Sequence, residues 1–600
     1  MTRVEGSWVD ILKKGNLMNR FIPKELEHQM VKEVSADILW KHLNYIIAEE
    51  RLPGGKGEAR AVNYFKGVME EFGLEAKIHE FESFTSLPIR ATAIVLSPQE
   101  RRLECITHSF SVTTPPGGLE GEVVYSTPKG NEDIKGKIVL CEGLASPATC
   151  FSIEQRGAIG IIMINSGDLP ANMIISTVWG QPTRETVQHL PKVAVVSMAK
   201  GNGQALKFML RNGPVLIRLN TEVKTGFWKI PVAVAHLRGK AEPDKFVLFG
   251  AHIDSWYKGA SDNGTGNACI LETARILSKY RDHLHRGVRF VWWSGHSHGR
   301  YSGSNWYADC NWEDLYHNAV LDLTVDIIGC EGATDYTSLE CVAETYDLGK
   351  SIIEEYTGQI PRYHRVRRGG DQSFWGIGLP SLFQLLSLQP PDQAGADTLV
   401  NGLPWYWHTE ADTIDKIDRE IFRKDTQIYM AALWRLCTAP VLPYSFVGVA
   451  DEFSHHMVQL QKKAKGAFDL TPVLEKAAVF RGKAVLLEQV CQDVCKKYFA
   501  GREIVAPQGL ELAAKLNKCM MKLSRELMPV NYCSVDRFDA DRAYPIEPFK
   551  RLQPIADLGN MDRDDAPFKF LERKMVRERN RVCHALDQAL EFIAEALGNV

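Results

Sequence analysis

Four residues of types that bind metal ions lie in the middle of the chain: His252, Asp262, Asp326 and His408. Each comes just after a short apolar run or in a loop beyond one. Imidazole and carboxylate groups bind borderline divalent metals well. The residue types and their surroundings predict a metal site built from segments that are distant in sequence.

Two local patterns support this prediction. Asp254 follows His252 by two residues, where its carboxylate could orient the imidazole ring or support it from behind. The segment 259–266 around Asp262 is rich in small residues, which allow the backbone to approach a site closely. The Asp262 carboxylate within this segment could bridge two cations. Taken alone, each pattern also fits an ordinary strand end or a glycine turn.

The segments that must position these residues alternate between apolar strands and amphipathic helices from about residue 230 to 440. This alternation predicts an α/β fold with a mostly parallel sheet and helices on both faces. Such sheets carry their chemistry at the carboxyl ends of the strands. The strand candidates are 246–249, 288–293, 323–328 and 379–386, and the strongest helix candidate here is 267–280.

The length of 600 residues predicts two to four domains. Residues 1–100 would hold N-terminal helices, among them 59–72, and the start of the central domain. Residues 101–230 would form a β-rich insert, 231–445 the metal-binding domain, and 446–600 a helical region. Apolar stripes in that last region, such as the one through Val582, Leu586 and Ile593, favour a homodimer.

Composition excludes several classes of function. The net charge of −3 gives no sign of nucleic-acid binding. No apolar stretch approaches the roughly 20 residues needed to cross a bilayer, and the N-terminus lacks an apolar secretory core. The 13 cysteines are scattered, as expected of free thiols in a reducing compartment. We therefore expect a cytoplasmic protein that acts on neither membranes nor nucleic acids.

Several motifs occur in an order that resembles the zinc aminopeptidase family, which includes glutamate carboxypeptidase and the non-enzymatic transferrin receptor. The likeness covers roughly residues 40–440, and residues 133–140 with 157–160 resemble an inserted protease-associated domain. The family-like motifs are His252-x-Asp254, the loop 261–266, the segment 325–329, the loop 369–374 and the segment 408–417.

The resemblance implies a ligand set and an activity. His252 would bind one metal and His408 the other, Asp262 would bridge them, and Asp326 would complete the first site. Asp412 would support the site, and the bond from Asp262 to the next residue would be cis. Zinc is the expected ion, with iron, nickel, manganese or another divalent metal as alternatives, and one or two ions are possible. The implied chemistry is metal-assisted hydrolysis.

One motif departs from the family pattern. Where the family carries two adjacent glutamates, this chain has Ser-Gly-His-Ser-His-Gly at 294–299. Alignment on the preceding strand puts His296 at the position of the catalytic base and Ser297 at the ligand position. Alignment on the Gly-Ser pair at 303–304 puts Ser297 and His298 there instead. We prefer the first register, in which His296 is the base or a further ligand; His298 stays a second ligand candidate.

Four other residues are candidates for substrate binding. Arg367 and Arg368 precede the family-like loop and could hold an acidic group, because guanidinium binds carboxylates bidentately. Trp256 could wall a pocket beside His252. Tyr301 could donate a hydrogen bond to a developing oxyanion. Solvated arginines and packed aromatic rings are equally ordinary explanations.

These observations favour a metal-dependent hydrolase of an amide or peptide-like bond, with a small-molecule or peptide-like substrate. His296 and Asp254 are its predicted catalytic residues. One alternative is a lyase or cyclase that uses a single cation as a Lewis acid, since glutaminyl cyclases share the family's fold. The other is a binding or scaffold protein without catalysis, as in the transferrin receptor.

Overall fold

A computed structural model describes residues 24–367, 373–391, 402–500 and 505–598. Its helices are α1 Lys24–Lys32, α2 Ala36–Ile46, α3 Lys56–Glu71, α4 Pro147–Gln155, α5 Lys200–Asn212, α6 Thr265–Lys279, α7 Ser302–Cys310, α8 Trp312–Asn318, α9 Tyr346–Thr357, α10 Arg419–Thr438, α11 Phe446–Lys463, α12 Thr471–Tyr498, α13 Pro507–Tyr532, α14 Ile555–Leu558 and α15 Ala566–Leu597. Its strands are β1 Glu75–Ser97, β2 Arg101–Leu103, β3 Ile106–Thr107, β4 Leu119–Tyr125, β5 Ile138–Glu142, β6 Gly160–Ile164, β7 Ala194–Met198, β8 Leu216–Leu237, β9 Glu242–His252, β10 Arg286–Trp293, β11 Ala319–Thr324, β12 Ser338–Cys341, β13 Arg362–Arg365 and β14 Ser381–Leu382.

The central sheet has helices packed on both faces. Strands β14, β11, β9 and β10 are parallel neighbours in that order, and β8 then pairs antiparallel with β10. Successive side chains of a strand point to opposite faces. Accordingly, Val247 and Phe249 pack in the core with α6 and α10, whereas Phe246 and Leu248 pack with α7 and α8. The predicted mostly parallel α/β sheet is confirmed.

Strand register brings the predicted chemistry to one edge of this sheet. His252, the last residue of β9, is level with Trp293, the last residue of β10. Thr324 ends β11 level with Gly250 of β9. The segments that follow β9, β10 and β11 therefore leave the sheet at nearly the same height and meet above it.

Two long strands join the central sheet to the β-rich region. Strand β8 pairs along its length with β1, and its first part also pairs with β4 of the insert while its last part pairs with β10. The insert sheet continues through β5, β6, β7 and β3. The expected boundary at residue 230 thus falls inside a continuous strand, and the insert includes the helices α4 and α5. The protease-associated assignment of this region remains a prediction.

The C-terminal helices pack on their own chain. Residues of α12, α13 and α15 share one apolar core with α2, α6 and α10 of the central domain. Val582, Leu586 and Ile593, whose stripe favoured a dimer, are buried in this core. The homodimer remains a prediction, now without that support. Among the described helices, none combines the length and apolar character that a membrane crossing requires.

Most predicted elements of the central domain form, with two corrections. Helices α3 and α6 match the predicted helices 59–72 and 267–280, and β9 and β10 contain the predicted strands. Strand β11 ends at Thr324, so Asp326 lies in the following loop rather than in a strand reaching 328. The predicted strand 379–386 shrinks to Ser381–Leu382, because its backbone turns away after two paired residues.

A buried arginine fastens α13 to the central domain. The guanidinium of Arg525 donates to the carbonyls of Leu315, Tyr316, Ala319 and Gly378 at 2.5–3.2 Å. The side chain is 1% exposed. These bonds satisfy carbonyls at the ends of α8 and in the segment before β14, so they couple the helical region to the sheet.

We predict that Arg525→Leu lowers the free energy of unfolding by about 3 kcal/mol, because several buried carbonyls lose their donors. Urea denaturation followed by circular dichroism measures this change. Arg573→Leu, at an exposed position on α15, is the matched control and should change stability by less than about 0.5 kcal/mol. Equal effects of the two substitutions would contradict the assigned role of Arg525.

Candidate metal centre

The Asp262 carboxylate lies between two imidazoles. Its Oδ1 is 2.8 Å from His252 Nε2, and its Oδ2 is 2.9 Å from His408 Nε2. All three side chains are buried, with His252 fully covered. One carboxylate that offers a different oxygen to each of two imidazole-lined positions has the arrangement of a bridging ligand.

Asp326 and His296 complete the cluster on the His252 side. Asp326 Oδ1 is 3.5 Å from His252 Nε2. One ligand atom from each of His252, His296 and Asp326 lies within 4.8 Å of the others. The His296 ring stacks on the His252 ring at 3.9 Å between centroids, with 9° between the planes. The turn after β10 therefore brings His296 to the end of β9, as the strand register requires.

Backbone carbonyls orient both ligand imidazoles. His252 Nδ1 is 2.8 Å from the Asp254 carbonyl oxygen, and His408 Nδ1 is 2.6 Å from the Asn172 carbonyl oxygen. A ring that donates from Nδ1 presents the lone pair of Nε2 to a cation. Both Nε2 atoms face Asp262, so the two rings are set as ligands.

The loop that carries Asp262 is held by its neighbours. Asp412 accepts hydrogen bonds from the backbone N–H groups of Ser261 and Asp262, at 2.8 and 3.1 Å. Asn263 donates from its side chain to the Val325 carbonyl at 2.8 Å. The peptide bond between Asp262 and Asn263 is cis, as the family resemblance implies. The loop is thereby tied to the segments that carry His408 and Asp326.

Asp254 supports the turn that carries His296. Its Oδ1 accepts from the His296 N–H at 3.0 Å, and its Oδ2 accepts from the Ser297 N–H at 2.8 Å. The same Oδ2 is 3.3 Å from His298 Nδ1. The His252 ring bonds to the Asp254 backbone carbonyl, and the carboxylate, whose Oδ1 is 4.0 Å from His252 Nδ1, supports the site by holding the opposite turn.

Arg51 is the buried cation behind the centre. Its guanidinium donates to the carbonyls of Ile253, Lys258 and Gly259 at 2.8–2.9 Å. The side chain is fully buried. It therefore clamps the connection between His252 and Asp262 and brings one positive charge close to Asp254, Asp262 and Asp412.

The carboxylates of the cluster differ in proton affinity. Burial raises the pKa of Asp262, but contacts with His252 and His408 outweigh it and hold that pKa well below its usual range. Burial raises the pKa of Asp326 and raises that of Asp412 to about 7. Burial lowers the pKa of His252, yet Asp326 and Asp262 raise it well above its usual value. The raised pKa values of His252, Asp326 and Asp412 favour proton binding, which reduces the negative charge of the cluster when no cation is bound.

The residues present fit a divalent cation. His252 Nε2 and Asp326 Oδ1 are buried, and in the ranges that the structure describes neither makes a hydrogen bond of good geometry, although Nε2 lies 2.8 Å from Asp262 Oδ1 and 3.5 Å from Asp326 Oδ1. Such atoms are costly unless a ligand satisfies them. The donor set of imidazole nitrogen and carboxylate oxygen suits zinc and also iron, nickel or manganese. The prediction of a metal site is thereby supported by orphaned atoms at its centre.

His298 lies outside this group. Its Nδ1 faces Asp254, and its ring packs 4.1 Å from the Trp256 ring. Both residues line a cavity of about 450 Å³ whose other walls come from β1, the insert and the segment before α3. His298 Nε2 is also buried without a hydrogen-bond partner among the described residues, so His298 stays a candidate ligand and the choice between the two registers remains a prediction. Trp256 borders a pocket, as the sequence predicted.

The predicted substrate-binding residues fall in different places. Tyr301 contacts His296 edge-on at 4.5 Å and stacks on Trp179 of the insert at 3.9 Å. Arg367 forms an ion pair with Glu340, so its guanidinium is already engaged. Arg368 lies outside the described residues, as does most of the loop 369–374. The structure thus brings Tyr301 to the centre but gives Arg367 another partner.

Sequence reasoning missed Arg51, Asn172 and Trp179. Arg51 begins the segment Arg-Leu-Pro-Gly-Gly at 51–55, whose proline and glycines indicate only a turn. Asn172 and Trp179 belong to the insert, about 80 residues before His252. No local pattern marks these residues, because their roles arise from contacts between distant segments.

Residues 233–433 match the model of peptidase family M28. This part of the chain is a peptidase family M28 domain. The match spans strands β9, β10 and β11 and all five residues of the cluster, which are His252, Asp262, His296, Asp326 and His408. The inserted region and the C-terminal helices lie outside it.

Relatives named as peptidases align with more of the chain. A probable glutamate carboxypeptidase of Arabidopsis thaliana is 22% identical over 547 residues, covering 76% of this chain and 75% of its own length. A probable lipoprotein aminopeptidase of Mycobacterium tuberculosis is 25% identical, covering 64% of this chain and 82% of its own. The M28 domain and these relatives support a metal-dependent peptide hydrolase.

Solved structures share the fold. An aminopeptidase from Aneurinibacillus sp. strain AM-1 superposes with a TM-score of 0.52 at 22% identity, covering 68% of this chain and 96% of its own. A peptidase M28 precursor from Shewanella amazonensis gives a TM-score of 0.55 at 19% identity, covering 69% and 96%. The M28 domain therefore keeps the aminopeptidase architecture although most residues differ.

We predict that Arg51→Lys weakens zinc binding by about 10- to 100-fold, because lysine keeps the charge but cannot bond three carbonyls in a fixed fork. Competition with a chelating dye measures the dissociation constant. Arg60→Lys, at a residue whose ion pair with Glu49 is partly exposed, is the matched control and should bind zinc as the parent protein does. An unchanged constant in Arg51→Lys would show that the clamp does not set ligand geometry.

Proposed function

We propose that this protein hydrolyses amide bonds of peptide-like substrates at a metal centre in which His296 replaces the carboxylate base of its family. One observation carries the proposal: the donor atoms of His252, His296 and Asp326 converge, and two of those atoms are orphaned and buried. The ligands would be His252, Asp262 and Asp326, with His408 on the far side of Asp262.

The stacked rings favour His296 as a base rather than a ligand. An imidazole binds a cation in its own plane, along the nitrogen lone pair. Two nearly parallel rings stacked at 3.9 Å cannot both hold the same ion in their planes. Because His252 is already set as a ligand, His296 would lie beside a bound cation, where it could accept a proton from water and return it to the leaving amine.

The ligand count favours one tightly held ion. The position around His252 has Asp262 and Asp326 as further ligands. The position around His408 shares Asp262, but the family's second glutamate is replaced there by Ser297, which has no carboxylate. A site with one carboxylate and one imidazole from the protein should bind more weakly than a site with two carboxylates and one imidazole.

A cation bound by His252, Asp262 and Asp326 would supply Lewis-acid polarisation of the scissile carbonyl and make water more acidic. The protein supplies the remaining functions. Asp254 fixes the turn so that His296 faces the centre, and Trp256 borders the cavity of about 450 Å³ where part of a substrate can lie. Tyr301 holds the His296 ring edge-on and thereby limits its rotation.

The alternatives to hydrolysis are less well supported. The relatives reported above are named as peptidases, so a lyase or cyclase has no support from them. A non-catalytic scaffold would not need orphaned ligand atoms at the centre of a buried cluster. Hydrolysis of a panel of aminoacyl amides and dipeptides by zinc-loaded protein is the direct test, and no turnover with zinc, iron, nickel or manganese would refute the proposal.

We predict that His296→Ala keeps its bound zinc but lowers kcat by about 10²- to 10⁴-fold, because the proton acceptor is lost. Elemental analysis and steady-state kinetics on the same preparation measure both quantities. His252→Ala is the matched comparison and should lose the zinc itself. Loss of zinc from His296→Ala would identify His296 as a ligand, and full activity in that variant would show that the strand-anchored register is wrong.

We also predict that Ser297→Glu raises zinc occupancy from about one to about two equivalents, since a carboxylate would join Asp262 and His408. Zinc content after dialysis against a fixed free-zinc buffer measures the change. Ser297→Gln, which adds similar bulk without a charge, controls for steric effects. Two equivalents already present in the parent protein would contradict the assignment of a single tight site.

A further inference from the structure

The cavity of about 450 Å³ beside the candidate metal centre has a carboxylate in its wall. Its Trp256 ring is 6.1 Å from the His408 ring between centroids, and Glu50 also lines it. Glu50 Oε1 accepts a hydrogen bond from the Tyr257 N–H at 3.0 Å. The neighbouring Arg51 directs its guanidinium to three backbone carbonyls. No described cation therefore forms an ion pair with the Glu50 carboxylate.

Glu410 places a second carboxylate near the same wall. Burial raises the pKa of Tyr257, a hydrogen bond with Asn172 lowers it, and the carboxylates of Glu410 and Glu50 raise it. Since Tyr257 lines the cavity, both carboxylates lie close to that wall. Both glutamates are exposed, and Glu410 likewise has no ion pair within the described ranges. The entrance to the cavity is therefore negatively charged.

His298 adds a buried hydrogen-bond acceptor to the same cavity. Its side chain is 1% exposed, and its Nδ1 is 3.3 Å from Asp254 Oδ2. An ionised carboxylate only accepts, so Nδ1 is the donor and Nε2 of the neutral ring is the acceptor. Nε2 is buried and has no hydrogen-bond partner in the part of the chain that the structure describes. Independently of the two exposed carboxylates, this atom indicates a ligand with N–H donors.

The remaining walls suit a side chain with an apolar stem and a cationic end. Leu52 contributes apolar surface, and Trp256 and Tyr257 contribute aromatic rings, whose faces attract cations. Arg90 is the one lysine or arginine among the described lining residues, and it pairs with Glu222 at 2.6 Å. The cavity therefore combines apolar and aromatic walls with acceptors and negative charge.

We propose that this cavity binds the basic side chain of a substrate residue next to the scissile amide, so that the substrates are peptides with arginine or lysine at that position. The end of such a side chain carries only donors, which match Glu50, Glu410 and His298 Nε2. Its methylene stem would lie along the apolar walls. The α-ammonium group of a peptide lies too close to the scissile carbonyl to occupy this cavity. The inference rests on the hydrolase proposed above, whose substrate class it specifies.

The kinetic test compares arginine with citrulline, which has nearly the same shape but no side-chain charge, in dipeptide amides Xaa-Ala and Ala-Xaa. Both members of each pair carry the same α-ammonium group, so their ratio reports the side chain alone. In the better series we expect kcat/KM for arginine to exceed that for citrulline by about 10- to 100-fold, the range of charge-assisted bonds.

Substitution of the carboxylates tests which groups produce this ratio. Glu50→Gln should lower it by about threefold or more, and Glu50→Gln combined with Glu410→Gln should lower it to about one. Glu49→Gln is the matched control, because Glu49 pairs with Arg60 and does not line the cavity, and it should keep the full ratio. A purely structural effect would lower kcat/KM for both members equally and leave the ratio unchanged in the double variant, which would overturn the inference.

His298→Asn tests the buried acceptor, because asparagine keeps a donor for Asp254 and removes Nε2. This variant should keep the zinc content of the parent protein and show a lower ratio of arginine to citrulline turnover. Loss of zinc would overturn the inference, since the orphaned Nε2 would then belong to a metal ligand.

A binding assay separates failure of this inference from failure of the proposed function. Calorimetry of zinc-loaded protein with argininol and citrullinol requires no turnover. Tighter binding of argininol that is lost in the double glutamine variant supports the inference even if no peptide is hydrolysed. No preference for the charged member in either assay, or the same preference in the double variant, overturns it even if peptides are hydrolysed.

Discussion

The arrangement of the centre depends on one carboxylate held between two imidazoles. Asp262 faces His252 with one oxygen and His408 with the other. This geometry requires three things at once: a strand end at His252, a loop that turns Asp262 back over it, and the segment around His408 folded on top. Asp412 connects the last two by accepting both loop amides.

Charge balance explains much of the surrounding structure. Asp254, Asp262, Asp326 and Asp412 are all buried near one another, which is tolerable only with compensating cations or protons. Arg51 supplies one fixed positive charge from behind, while burial and the neighbouring Asp262 raise the pKa of Asp326 and of Asp412. A divalent cation in front would complete the balance, and its binding would release protons.

The turn around His296 stands where the family resemblance implies two glutamates, and the rest of the site is still assembled around it. The Asp254 carboxylate stabilises this turn by accepting hydrogen bonds from the backbone N–H groups of His296 and Ser297. These bonds do not depend on the side chains at the two positions. Substitutions within the turn can therefore alter the proposed base and the number of ligands while His252 at the end of β9 and Asp326 in the loop after β11 stay in place. His296 and Ser297 correspond to these two changes.

The sequence predicted the α/β sheet and the convergence of distant ligands for a physical reason. Residues at the carboxyl ends of parallel strands must meet at one edge, so short apolar runs followed by His252 and Asp326 were sufficient. It could not predict which of His296 and His298 lies against His252, because a one-residue change of register moves His296 out of the base position and His298 into the ligand position. Nor could it predict the role of Arg51, which depends on packing against segments far away in sequence.

Anomalous diffraction at the zinc edge, on crystals of protein grown with zinc and no chelator, tests the central claim most directly. The account predicts one strong peak within bonding distance of His252, Asp262 and Asp326, with His296 nearby but not bonded to the ion. The absence of a peak at saturating zinc, or strong peaks only at other residues, would contradict it.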